Sequence, residues 1–261
     1  MSSKQSSINS NVVNVGELIE RISTFGVKFN PVRNDFTIPF LTELKTNAET
    51  LVGLAKTAEN IDKNSIAVRA SGIKSIDGLV TRAINSFSIS GASPQSVQQA
   101  ESKVRTFRNI RVSAKPTAEE LAAAKADGKE LRVNALHNAS YDRKIENFAD
   151  IIDFVKNSSE YGPNEADISV NGLTHKLKEI KTQNNTCLRT AAELDATRME
   201  RDTMLCADVT GLVDVAMGAK KYVKSVYGAN SPQYKSISDL RFRKTKKITT
   251  LDTVDIPAPE R

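Results

Sequence analysis

Tryptophan is missing from this chain, and aromatic residues make up only 5% of its 261 positions. Stacking platforms for single-stranded nucleic acid need successive aromatic faces, so that class of binder is disfavoured. Two cysteines, Cys187 and Cys206, are too few for a disulfide scaffold and fit a reducing compartment. No run of about 18 apolar residues occurs, so no membrane-spanning helix is expected. The opening stretch, Met1 to Gly16, is rich in Ser and Asn and has no apolar run to serve as a signal peptide. A cytoplasmic protein is the expectation.

Chemistry-bearing motifs are scarce as well. There is no glycine-rich phosphate loop, no Gly-x-Ser-x-Gly elbow, no His-Glu-x-x-His and no Glu-x-x-His. The only histidines are His137 and His175. A zinc site from His175, Cys187 and Cys206 requires the helices after His175 to converge three ligands on one ion. The two thiols lie in or beside apolar stripes, which favours small core residues instead. The acidic group Glu193, Asp195, Glu200 and Asp202 is interleaved with Arg198 and Arg201, and reads as a solvated, self-compensating hairpin end. These features predict a protein that is not an enzyme, with no cofactor and no metal.

What the chain does contain is repetition. Gly78-Leu79-Val80 recurs as Gly211-Leu212-Val213, and Phe107-Arg108 as Phe242-Arg243. Gly91-Ala92 before Pro94 recurs as Gly228-Ala229 before Pro232. Upstream, Pro31, Asp35, Leu41 and Thr42 match Pro163, Asp167, Leu173 and Thr174. Punctuation residues kept in one order mean two copies of one structural unit.

Each copy has the apolar period of a helix. Leu41, Leu44, Ala48, Leu51, Ala55 and Ala58 alternate spacings of three and four, as do Leu173, Leu177, Ile180, Asn184, Cys187, Ala191 and Leu194. A second helix follows in each copy, with Ile73, Ile76, Val80, Ala83 and Phe87 in the first. In the second copy it carries Leu205, Val209, Leu212, Ala216, Ala219, Val223 and Val226. Asn184 interrupts its stripe and reads as a locally exposed turn, or else as a buried selector of register. Gly91 and Gly228 suit helix ends, and Ser93-Pro94 and Ser231-Pro232 suit a cap and first position. Period-two alternation is nowhere sustained, so no strands are expected.

The predicted fold is therefore all-α: an internally duplicated helical bundle with long, antiparallel, coiled-coil-like helices. Its expected parts are a flexible tail over 1–13, a first bundle over 14–108, a connector over 109–145, a second bundle over 146–243 and a basic, Pro-containing tail over 244–261. Each bundle has a leading helix (about 14–27 and 146–158), two long helices and a short basic closing helix. Pro116 and the capping box Thr117 to Glu120, with a stop at Gly128, predict one helix in the connector.

Three segments carry a likeness to known proteins: Tyr161-Gly162-Pro163-Asn164-Glu165-Ala166-Asp167, Gly211-Leu212-Val213-Asp214, and Ala229-Asn230-Ser231-Pro232-Gln233-Tyr234-Lys235. From about Gly26 to about Lys244 the chain resembles an uncharacterised family of cytoplasmic proteins of Bacteroidota, the flavobacterial lineage especially. The resemblance implies a duplicated helical fold. No activity is assigned to that family, so it implies nothing about catalysis.

The formal net charge is +6, and the second bundle taken alone is net acidic. Positive charge gathers in the two closing segments. One holds Lys103, Arg105, Arg108 and Arg111, the other Arg241, Arg243, Lys244, Lys246 and Lys247. These nine residues are the candidate site for an anionic partner, and two such patches related by duplication suit phosphates or an acidic surface. The leading functional expectation is a structural or interaction protein that binds a protein partner, or itself, through helical faces. The alternative is a nucleic-acid-associated protein that uses the basic segments 103–111 and 241–247.

Overall fold

The computed structural model describes residues 3–110 and 140–244, together with Thr117, Glu119, Lys125 and Ala126. Those residues are helical with no strand, as the stripes predict, and form seven helices: α1 (Ser3–Ser23), α2 (Ile38–Ser88), α3 (Pro94–Phe107), α4 (Tyr141–Lys156), α5 (Val170–Cys206), α6 (Leu212–Tyr227) and α7 (Pro232–Ser238). Short 3₁₀ turns at Gly26–Lys28 and Asn34–Phe36 lie between α1 and α2. No described helix is long and apolar enough to cross a membrane. The connector helix expected after Pro116 falls outside the described residues, apart from Glu119, Lys125 and Ala126, which are helical.

The caps form where the sequence places them. Ser93 accepts the Ser96 N–H at 3.2 Å and Ser231 accepts the Tyr234 N–H at 3.1 Å, with Pro94 and Pro232 opening their helices. Gly91 and Gly228 have φ of 88° and 90°, which L side chains rarely adopt. Ser140, accepting from the Arg143 N–H, starts α4 several residues before the expected 146.

Four expectations about the elements are corrected. Residues 3–13 are not a tail but belong to α1, because Ile8, Val12, Val15 and Ile19 continue one apolar face toward the N-terminus and are buried. The two long helices expected in the first copy are one helix of 51 residues, α2, since no proline or positive-φ glycine separates them. Between α5 and α6, by contrast, the chain does break, at 207–211. There Val209 takes φ of 72° and stands 62% exposed, outside the stripe it was assigned to. A Cβ on Gly211 would lie 2.6 Å from the Ala207 backbone, so this corner needs glycine, whereas a Cβ on Gly78 inside α2 meets nothing. Lastly, the second closing helix is only α7. The chain from Leu240 to Lys244 is not helical.

The compact units differ from the bundles expected over 14–108 and 146–243. One unit comprises Met1–Asn60 with Ala192–Arg261, and the other Ile61–Ala191. The first unit's core brings Ile8, Leu18 and Leu41 together with Leu205, Val215 and Ile237. In the second, Ile76, Phe87 and Phe107 meet Phe148, Val155 and Leu173. Both cores are therefore built from residues far apart in sequence.

Asn184 is buried, contrary to the exposed reading. It donates to Asp142 Oδ1 at 2.7 Å and accepts from Arg69 Nη1 at 3.4 Å, and Arg69 lies over the Tyr141 ring at 4.3 Å. Thr190, one turn and a half further on, bonds Ser65 and Asp62. Within the second unit these contacts make a polar layer between α2, α4 and α5. Apart from Arg69 Nε, which is buried without a partner, such a layer is paired in one alignment of the helices and left unpaired in slipped ones.

Candidate functional site

The first basic segment lies on the second unit. Lys103, on α3, holds its ammonium 5.9 Å from the centre of the Phe154 ring, in a shallow depression that Asp150 and Asp153 also line. Arg105 is exposed. Arg108 caps the C-terminal end of α3 and donates to Thr81 Oγ1 at 2.6 Å. Arg111 lies outside the described residues. Phe107 is buried against Phe148, ring centres 6.4 Å apart, and so anchors α3 to the second core.

The second segment lies on the first unit and is tied down along its backbone. Asn11 on α1, 2% exposed, donates to the Arg243 carbonyl at 2.7 Å and accepts the Arg243 N–H at 3.0 Å. Asn14, one turn on, donates to the Arg241 carbonyl at 2.8 Å. From α6, Lys220 donates to the Leu240 carbonyl at 2.6 Å and sits 5.8 Å from the Phe242 ring centre. Burial depresses the pKa of Lys220. The extended chain thus seals the first core by side-chain bonds rather than as a helix.

Lys244 is committed within the molecule. Its ammonium meets Asp214 at 2.7 Å and Asp208 at 2.9 Å, across the corner that separates α5 from α6. The bond from Lys244, reinforced by the Val209 N–H, holds the Asp214 carboxyl below its ordinary value, and the two carboxylates raise Lys244. Asp214's contribution to stability is present above its unfolded pKa of about 4 and is lost as pH falls through the depressed folded value. Lys244's is present below its unfolded value of about 10.4 and is lost as pH rises through the raised folded one. Replacing Lys244 with Met should move the Asp214 titration upward toward the ordinary carboxylate range, as followed by carboxyl-carbon NMR. An unmoved titration would show that the pair does not form.

Of the nine candidate residues, then, Lys246 and Lys247 join Arg111 outside the described residues, Lys244 is ion-paired with two carboxylates and Lys103 shares its depression with Asp150 and Asp153. Arg241 and Arg243 are exposed beside a tethered backbone, as is Arg105 on the other unit. The two segments belong to different compact units.

The metal alternative loses its geometry. His175 and Cys187 lie on the same helix, α5, about 18 Å apart along its axis at 1.5 Å per residue, and Cys206 belongs to the other unit. His175 is exposed, Cys187 is buried and Cys206 is half-buried against the first core. Among the described residues no group of three or more His, Cys, Asp and Glu is placed to hold an ion. The acidic residues Glu193 to Asp202 sit in the interior of α5, not at a hairpin end. There Arg201, 5% exposed, bonds the Asp202 carboxylate.

Two surface features were not anticipated. On the first unit, Phe36 lies against α6 where Gly218 has no side chain; a Cβ there would lie 2.5 Å from the ring. An open groove of about 620 Å³ runs beside it, lined by Arg33, Met217, Lys221 and Tyr222 among others. On the second unit, α2 exposes Ile61 (52%) and Val68 (44%), seven residues apart, and α5 exposes Leu188 (58%). The signal for the second feature was in the sequence. Ile61, Ser65 and Val68, at spacings of four and three, share one side of α2.

Compared with protein-family models, curated proteins and solved structures, the chain finds no match in any of the three.

Proposed function

We propose that this chain is a non-enzymatic, scaffold-like interaction protein of the cytoplasm that associates with itself or a protein partner through its helical faces. The internal duplication and the coiled-coil-like pairing of its long helices belong to the same reading. The observation that supports it is the pair of exposed aliphatic side chains on α2 of the second unit, Ile61 and Val68, seven residues apart. Burying an aliphatic side chain of this size yields about 1.5–3 kcal/mol, so a helix side that exposes two of them gains by being covered. A heptad interval keeps such side chains on one line along a helix, which suits a second helix as the covering element.

The test uses the full chain with Ile61→Glu and Val68→Glu together. Both positions are exposed, so helicity should be unchanged, while self-association or partner retention should weaken about a hundredfold or more. Light scattering over a concentration series and pull-down from lysate read the two effects. An unchanged mass profile and unchanged retention would remove the proposal. The alternative reading, nucleic-acid association, is favoured by the exposure of Arg105, Arg241 and Arg243. It predicts instead that retention falls steeply with salt and responds to Arg241→Gln and Arg243→Gln, but not to the glutamates on α2.

A further inference from the structure

Neither half of the chain owns a core. The half before the connector contributes Ile8, Leu18 and Leu41 to the first core but Ile76, Phe87 and Phe107 to the second. The half after it contributes Phe148, Val155 and Leu173 to the second core but Leu205, Val215 and Ile237 to the first. The division falls inside the two longest helices: α2 changes unit after Asn60 and α5 after Ala191. Each half therefore gives its leading helix and the start of its long helix to one core, and everything after that to the other.

Residues matched by the sequence repeat are divided in the same sense. Leu41 packs in the first core and its counterpart Leu173 in the second. Leu79 packs against the second core and Leu212 within the first, and Phe107 lies in the second while Phe242 packs against the first. Two protomers that exchange their second halves produce this pattern, because each core then holds one early and one late segment from different copies.

We infer that the two halves of this chain are obligate folding partners, related as the protomers of an interleaved dimer that the connector has joined into one polypeptide. A half on its own has amphipathic helices whose apolar stripes lack the residues that cover them in the native chain. Helices in that condition are marginal in water, since most helical stability in proteins comes from the packed face. The partner that each half fits is the other half. This conclusion rests on the composition of the cores and does not depend on which outside molecule the protein binds.

The experiment cuts the intact, folded protein. A specific protease recognition sequence is inserted between Gly128 and Lys129, the full-length protein is cleaved, and the product is diluted stepwise in fixed, mildly denaturing urea. Molecular mass by light scattering and helicity by circular dichroism are followed on the same samples. The expected result is that the cleaved protein keeps the mass of the intact one at high concentration. Loss of mass and loss of helicity should then coincide on dilution, at a midpoint that rises with concentration, while the uncleaved chain shows no such dependence. Leu41→Ala in the cleaved protein should weaken reassembly at least tenfold, and Ile89→Ala, at an 85% exposed position, should not. Outright unfolding on cleavage also supports mutual dependence. Pieces that separate while retaining their helicity would overturn the inference, since each half would then carry a core of its own.

Discussion

Replacing Phe87 with alanine is expected to cost about 3–5 kcal/mol of stability, the range for truncating a large aromatic in a packed interior. Phe87 is fully buried near the end of α2. Its ring meets Phe154 edge-on at 5.5 Å and Tyr161 in a tilted contact at 6.3 Å, so truncation removes its own burial and two aromatic contacts. Tyr161 would be exposed to the resulting cavity. Its hydroxyl donates to the Ile168 carbonyl, and burial, with Asp167 and Glu165 adding to it, pushes its pKa up to about 12. The phenol is thus neutral in the native protein and becomes easier to ionise as the site opens. Urea unfolding followed by circular dichroism measures the loss, and alkaline titration of tyrosine absorbance should show the highest transition moving down. A loss below about 1 kcal/mol would mean that the second core does not depend on this ring.

Asn11→Ala is expected to release the chain from Leu240 to Lys244. Both bonds from Asn11 go to the backbone of Arg243, across 232 positions of sequence. At about 0.5–1.5 kcal/mol net each, their loss raises the local opening equilibrium about 5- to 160-fold. Native-state trypsin cleavage at Arg241 and Arg243 should accelerate by that factor when reclosing outpaces cutting. Asn14→Ala should do less, because Asn14 makes one bond, at an exposed position. Unchanged cleavage in Asn11→Ala would place the anchoring elsewhere, in Phe242 and Lys220. The result also bears on the basic segment, since a released chain would free Lys244 from Asp208 and Asp214.

The clustering of basic residues was legible in the sequence, but not the state of their charges. Clustering of Lys and Arg marks the segments 103–111 and 241–247. It does not reveal that Lys244 faces two carboxylates at the corner between α5 and α6, because Asp208 and Asp214 reach it only through the fold. The apolar row through Ile61 and Val68 was present as spacing. It is concealed because the polar Ser65 stands between the two apolar residues.

The sequence by itself determined the local structure. Spacings of three and four select helix over strand, Ser-Pro pairs start α3 and α7, and Gly91 and Gly228 supply the positive φ that ends the preceding helices. Those are properties of a few neighbouring residues, with free energies set within one or two turns. Only the tertiary structure decided that α2 runs on as one helix while the chain breaks at Val209 between α5 and α6, that Asn184 is buried, and that each core joins early residues of one half to late residues of the other. A periodic stripe says that a face will be buried but not against what. That choice depends on complementarity between segments a hundred or more residues apart, and the free energy that settles it belongs to the pair of faces and to neither alone.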